Sequence, residues 1–389
     1  MFPPLSAKIK EIEPFVVMEL LAKAKALEAQ GRNIVHMEIG EPDFPTPKSI
    51  VEAGVKAMQD GYIKYTSAAG LPQLRQAIAE YYAYCYQVSI DPDRIMITPG
   101  ASGAFLLILA TLLSKNKEIL ISDPGYPCNR NIIRLFEGRP KLVPVTYETH
   151  FHLTAKLVRD NWGENTIGVW LASPSNPTGT IIENDALKGI CQEVEKQGGV
   201  LISDEIYHGL EYGKRSASAL EFTQDAFVVN SFSKYFGMTG WRLGWVVVPA
   251  SYCEVLERVA QNAFISAPSL SQYAALAALS EETFVELEER RNAFERRRDF
   301  LYDGLLDLGF SIETIPDGAF YIYADCSSIT SDSYGFAWDL LEKVGVAITP
   351  GKDFGKANAH RYVRFAYTTS MSRLKEGIGR IQKYLCSAE

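Results

Sequence analysis

The sequence predicts an α/β protein: a large domain built on a mostly parallel central sheet flanked by helices, with a second, smaller α+β domain. Three observations predict it. Short apolar runs in the middle of the chain alternate with helical stretches, the pattern of parallel strands joined by crossover helices. Several of those runs are near-continuous rather than alternating, as strands buried on both faces are. The last third then changes to a long charge-rich helical pattern followed by a mixture of strands and helices.

Taken in order, Pro14 to Gln30 reads as an amphipathic helix ending near Gly31. Ile34 to Gly40 reads as a short strand entering the Pro-rich loop Glu41 to Pro47. Strand-like runs follow at 94–98, 118–122, 141–147, 167–172, 200–203, 227–230 and 243–248. Glu281 to Leu308 is helical, Ala319 to Ala324 strand-like, Tyr334 to Val344 helical and Tyr362 to Tyr367 strand-like, with a final helix from Ser370.

A chain of 389 residues suggests two or three domains and can bury a large core without staples. A net charge of −8 argues against nucleic acid as the main partner. The six cysteines form no CxxC pair and have no short-range His partner, so neither a metal site nor a disulfide framework is expected, and reduced thiols in the cytoplasm are. Met1 to Lys8 holds no apolar core of a signal peptide. The longest apolar stretch, Phe105 to Leu113, is too short to span a membrane.

In parallel α/β sheets ligands gather beyond the carboxyl ends of the strands. The chemistry-bearing residues fall there. Gly100 to Ala104 follows the run ending at Thr98, Asn176 the one ending at Ala172, Asp204 the one ending at Ser203, and Lys234 the one ending at Asn230. The most informative segment is Ser231-Phe232-Ser233-Lys234, with Arg242 eight residues beyond the lysine. Hydroxyls and a guanidinium fork suit a phosphate dianion, and the lysine amine suits a Schiff base to an aldehyde on the same molecule. Pyridoxal phosphate carries both groups.

This segment resembles the cofactor-lysine signature of the class I/II aminotransferases, fold-type I enzymes of the aspartate aminotransferase superfamily. The resemblance spans roughly residues 10 to 385, and its motifs recur in order. It implies a small domain formed by both chain ends: residues 1–44 packing with 281–389, around a large cofactor-binding domain at 45–280. It implies that Lys234 holds pyridoxal phosphate as an internal aldimine and moves a proton in a ping-pong exchange between an L-amino acid and a 2-oxo acid.

Site roles follow from the same resemblance. Asp204, in Ser-Asp-Glu-Ile-Tyr, is expected against the pyridine nitrogen, where a carboxylate keeps the ring protonated; as a bare residue it could equally cap a helix. Asn176, in Asn-Pro-Thr-Gly, and Tyr207 are expected to share the cofactor's phenolic oxygen, although Asn-Pro before Gly also suits a plain turn. Ala101, Ser102 and Gly103 open a helix whose N–H groups can meet the phosphate, together with Ser231, Ser233 and Arg242. Tyr126 matches the aromatic stacked on the ring, or is a loop anchor. Tyr65 matches a tyrosine reaching the neighbouring subunit's phosphate, which implies a homodimer.

For the substrate, Arg364 fits the family's carboxylate arginine, with the Gly40 N–H beside it. Arg361 is expected to be solvated. Ser102 stands where one aspartate aminotransferase subgroup has a lysine for the distal carboxylate, so no acidic side-chain reader is evident. Phe15, Val16, Phe264 and Phe320 are expected to make the pocket partly apolar, and 317–321 resembles a pocket-lining segment. A carbon–sulfur β-lyase on the same fold is the runner-up. A non-catalytic ligand sensor would need an N-terminal DNA-binding domain, for which a resemblance beginning near residue 10 leaves no room. No metal and no membrane are expected.

Overall fold

The computed structural model describes residues 4–387. Met1 to Pro3, part of the stretch used to argue against a signal peptide, lie outside them.

After a 3-10 turn at Ala7–Glu11 come α1 (Val16–Ala29) and the two-residue β1 (Val35–His36). Then follow α2 (Lys48–Gln59), α3 (Pro72–Tyr86), β2 (Ile95–Thr98), α4 (Gly100–Leu112), β3 (Glu118–Asp123), α5 (Pro127–Leu135) and β4 (Arg139–Pro144). The central section continues with α6 (Ala155–Asn161), β5 (Thr166–Ala172), α7 (Asn184–Lys196), β6 (Val200–Asp204), β7 (Ala226–Ser231) and β8 (Gly244–Val247). Helices α8 (Cys253–Ala263), α9 (Ser269–Ala278) and α10 (Glu281–Asp307) lead to β9 (Tyr321–Asp325) and α11 (Ser333–Asp339). The chain ends with β10 (Val346–Ala347), β11 (Thr349–Pro350), β12 (Tyr362–Ala366) and α12 (Met371–Cys386).

Seven strands form the main sheet in the order β2-β8-β7-β6-β5-β3-β4. Only β8 runs against its neighbours, β2 and β7; the other pairings are parallel. All residues of β2, β7 and β8 are buried, which explains their unbroken apolar sequences. Successive side chains divide between two cores. Met96, Ile121, Trp170, Ile202, Phe227 and Val229 pack with α4 and α8 on one face. Ile97, Leu120, Leu171, Leu201 and Val228 meet α3 and α7 on the other.

A three-stranded antiparallel sheet, β11-β12-β9, lies in the C-terminal part. There β1 pairs in parallel with β10, Val35 opposite Val346, so the N-terminal segment is fastened to the last third of the chain. Helix α1 packs Leu20, Ala24 and Leu27 against Leu341 and Ala347 there. Most expected boundaries shift by a residue or two, and three move further. The strand expected over Ile34 to Gly40 shortens to the two residues of β1. The strand expected at 141–147 is Arg139–Pro144, and Tyr147 opens a 3-10 turn instead. The helix expected at 334–344 is α-helical to Asp339 and π-helical from Leu340 to Val344.

Candidate active site

Five strand ends deliver the site. Beyond β2, α4 starts at Gly100; beyond β3 stands Tyr126; beyond β5, Asn176; at the end of β6, Asp204; beyond β7, Lys234. Their side chains meet in a cavity of about 280 Å³ that Ala101, Ser102, Tyr126, Asn176, Asp204, Tyr207, Ser231, Ser233, Lys234, Arg242 and Arg364 all line, with Gly40. Most of these residues converge because the parallel strands point their carboxyl ends one way, while Gly40 and Arg364 reach the cavity from outside the seven-stranded sheet.

Lys234 is half-buried, and its Nζ donates to the Gly40 carbonyl at 2.8 Å. Burial lowers its amine to about 8; Arg242 and Arg364 push the same way, against Glu41 and Asp204. A lysine so placed is neutral far more often than an exposed one. Asp204 is 5% exposed. Burial raises its carboxyl to about 7, opposed by the Ile206 N–H and by Lys234. Its Oδ1 accepts from Ile206 at 3.3 Å, and no other hydrogen bond reaches that carboxylate among the described residues. It closes a strand rather than capping a helix.

Arg242 lies across the start of α4. Its residue is left-handed, at φ 54, and Nη1 donates to the Thr239 carbonyl at 3.0 Å. Gly100 is required beneath it: its φ is +69, and a Cβ there would stand 2.6 Å from Arg242 Nη2. The Ser231 hydroxyl is fixed by the Ser233 N–H at 3.0 Å and by donation to Leu243 O at 3.3 Å. A guanidinium, two serines and the first turn of a 13-residue helix therefore face one spot, an arrangement suited to an anion. Gly103 lies within that helix, off the cavity wall.

Arg364 sits in β12, 4% exposed, its guanidinium 4.4 Å from the Tyr321 ring and 4.8 Å from that of Phe354. It donates to Asn176 Oδ1 at 2.8 Å, to Thr349 Oγ1 at 3.2 Å and to the Glu38 carbonyl. Its buried Nε has no partner among the described residues. Three of five guanidinium N–H groups are thus engaged and two are unspent. The contact from Arg364 also orients the Asn176 amide, leaving its NH₂ as the free end. Gly40 passes so close to Tyr321 that a Cβ would lie 1.8 Å from the tyrosine oxygen. The loop after it is clamped: Asp43 takes a two-pronged pair from Arg297 at 2.7 and 3.0 Å.

The apolar wall differs from expectation. Phe15 lines the cavity, but Val16, Phe264 and Phe320 do not. Val16 packs toward Leu341, Phe264 toward the core under α8, and Phe320 against Phe294 and Tyr207. Val17, Met18, Leu21, Phe105, Cys128 and Ile132 take their place. Sequence reasoning also missed Glu38 and the Tyr207–Tyr321 hydroxyl pair at 2.8 Å, although the segment ending at Tyr321 had been marked. Arg361 is half-exposed as expected, yet paired with Asp325 at 2.5 Å. Tyr65 is 81% exposed and away from the cavity.

Comparison with known proteins identifies the family. Residues 32–381 match the family model described as aminotransferase class I and II. A (5-formylfuran-3-yl)methyl phosphate transaminase of Methanocaldococcus jannaschii is 37% identical, covering 98% of this chain and 99% of that one. The valine–pyruvate aminotransferase of Mycobacterium tuberculosis is 36% identical over 97% of both chains. A solved aminotransferase structure from Mycobacterium tuberculosis superposes with a TM-score of 0.95 at 35% identity, covering 99% of this chain and all of the other. The chain belongs to the class I and II aminotransferases, the pyridoxal-phosphate-dependent transaminases.

Proposed function

We propose that Lys234 is the amine that carries pyridoxal phosphate, and that the surrounding cavity exchanges an amino group between an L-amino acid and a 2-oxo acid by a ping-pong route. One observation carries the reading: a half-buried amine with a lowered pKa shares a cavity with a nearly unbonded buried carboxylate, Asp204, and an anion cradle at Arg242. The residues fit the cofactor on these grounds. Pyridoxal phosphate supplies an aldehyde for the lysine and a protonated ring that accepts the electron pair released at the substrate's Cα.

The protein's part is division of labour. Arg242, Ser231, Ser233 and the opening of α4 at Ala101 and Ser102 would hold the phosphate. Asp204 would keep the proton on the ring nitrogen. The free NH₂ of Asn176 and the hydroxyl of Tyr207 would serve the phenolic oxygen, and Tyr126 would cover the ring face. Arg364, through its unspent N–H groups, and the Gly40 N–H would hold the substrate's α-carboxylate. Lys234 Nζ would take the proton from Cα; an amine lowered to about 8 is neutral in roughly a tenth of molecules at pH 7 and in more as pH rises. The chain works as a homodimer, with exposed Tyr65 completing the neighbouring subunit's site. The division into 1–44, 45–280 and 281–389 is supported by the β1–β10 pairing, and a cytoplasmic location by six unpaired thiols.

The test is Lys234→Ala. The variant should fold and lose transamination down to the background of free cofactor. Substantial residual turnover refutes the assignment. For the unaltered protein, amino acid alone should bleach the visible absorbance of the loaded enzyme, and a 2-oxo acid should restore it. Accumulating pyruvate and ammonia without bleaching would instead indicate a β-lyase.

A further inference from the structure

Resting on that reading, we infer that the preferred amino donor carries a large apolar side chain, aromatic or branched aliphatic, and that α1, α4 and α5 together read it. The three helices each turn an apolar edge into the cavity. Met18 and Leu21 are three residues apart on α1, with Phe15 just before its first turn; Cys128 and Ile132 are one turn apart on α5; Phe105 stands on α4 one turn beyond Ala101. Helical spacing of three and four places such residues on one face.

Helix α1 is informative because it already has a buried face. Leu20, Ala24 and Leu27 meet the core, so a second apolar edge is not needed for folding. Yet that edge carries Met18, 54% exposed, where an ordinary surface helix would carry a charge. An apolar edge kept at a cavity mouth against that rule points to an apolar occupant.

The charges argue the same way. The cavity's cations are Lys234, Arg242 and Arg364, and each has work at the reacting carbon, the anion cradle or the α-carboxylate. Among the described residues no fourth cation lines the wall. Arg130 is on the same helix as Cys128 and Ile132, but its guanidinium turns to Glu13 at 3.1 Å and the Asp353 carbonyl at 2.9 Å. The neutral polar groups beside the apolar edges are Ser102 and Asn129, while Glu38 adds a carboxylate. A distal carboxylate would lose its water here and gain no countercharge.

The experiment measures specificity constants for the loaded enzyme with L-phenylalanine, L-leucine, L-methionine, L-aspartate and L-glutamate. In parallel, equilibrium binding of two unreactive acids is titrated: 3-phenylpropionate, with an apolar tail, and succinate, with a second carboxylate. An apolar amino acid should lead aspartate by about 10²-fold, and 3-phenylpropionate should bind more tightly than succinate. In Ile132→Lys the order should narrow or invert, because the change puts a cation on the apolar wall without touching the machinery around Lys234. Aspartate or glutamate leading, with succinate the tighter acid, overturns the inference and means that the neighbouring subunit supplies a cation. An unchanged order in Ile132→Lys also overturns the assigned wall. No amino acid converted, while 3-phenylpropionate still outbinds succinate, overturns the transaminase reading alone and leaves the apolar pocket standing.

Discussion

Replacing Arg364 by alanine should cost the enzyme its grip on the α-carboxylate and little else of its chemistry. Two unspent N–H groups of this buried guanidinium are available to a carboxylate, the unpartnered Nε among them. Hydrogen bonds involving charged groups contribute about 1.5–3 kcal/mol each. Losing both gives about 3–6 kcal/mol, or roughly 10²–10⁴ in kcat/KM. Because the carboxylate is held equally before and during reaction, the loss should appear mainly in KM. Arg364→Lys keeps a charge but not the planar donor set and should fall between the wild type and alanine. The assay is a rapid-mixing half-reaction with a good amino donor, repeated with a primary amine of the same side chain lacking the carboxylate. The slow reaction of that amine should be nearly unchanged by the substitution. An equal loss for both compounds refutes the reasoning, since Arg364 would then act by supporting Asn176, Tyr321 and the Glu38 carbonyl.

Three further outcomes are expected. Arg297→Ala removes the two-pronged hold on Asp43, a partly exposed pair, and should cost about 1–2 kcal/mol of stability, read from denaturant melts, with KM rising more than kcat falls as the Gly40 loop loosens. Gly100→Ala places a methyl 2.6 Å from Arg242 Nη2 at a left-handed residue; the strain of about 1–2 kcal/mol should weaken cofactor affinity roughly tenfold, measured by titrating the apoprotein. His36 is raised to about 8, first by its hydrogen bond to Glu38, against burial and with help from Glu28. A raised folded pKa stabilises fully below the ordinary value of 6.5 and ceases to do so as pH rises through 8. His36→Gln should therefore lower Tm at pH 6 and barely change it at pH 9; an equal loss at both would assign the effect to packing.

The sequence revealed the loops that carry the chemistry because buried parallel strands have an unmistakable composition and their carboxyl ends share a side. Asp204, Asn176 and Lys234 could be set around one spot from strand order alone. The reversed β8 was not legible, since a fully buried strand reads the same in either direction. The phase of α1 was also hidden. Whether Val16 or Val17 faces the cavity depends on how the helix is docked, and Asp353, 336 residues away, fixes that by accepting from the Val16 N–H at 2.9 Å and the Val17 N–H at 3.3 Å. Phe264 and Phe320 misled for a related reason: an aromatic near a site serves the core as readily as the pocket. The Gly40 carbonyl under Lys234 is a backbone contact, and composition carries no mark of it.

The Asp353 cap has a further consequence. It ties the first turn of α1 to the segment beside β11, while Lys234, Asp204 and Arg242 are rooted in the seven-stranded sheet. One edge of the donor wall, Met18 and Leu21 on α1, therefore stands on a different support from the groups rooted in that sheet. Substitutions along that edge would reshape one side of the cavity while Lys234, Asp204 and Arg242 keep their anchors.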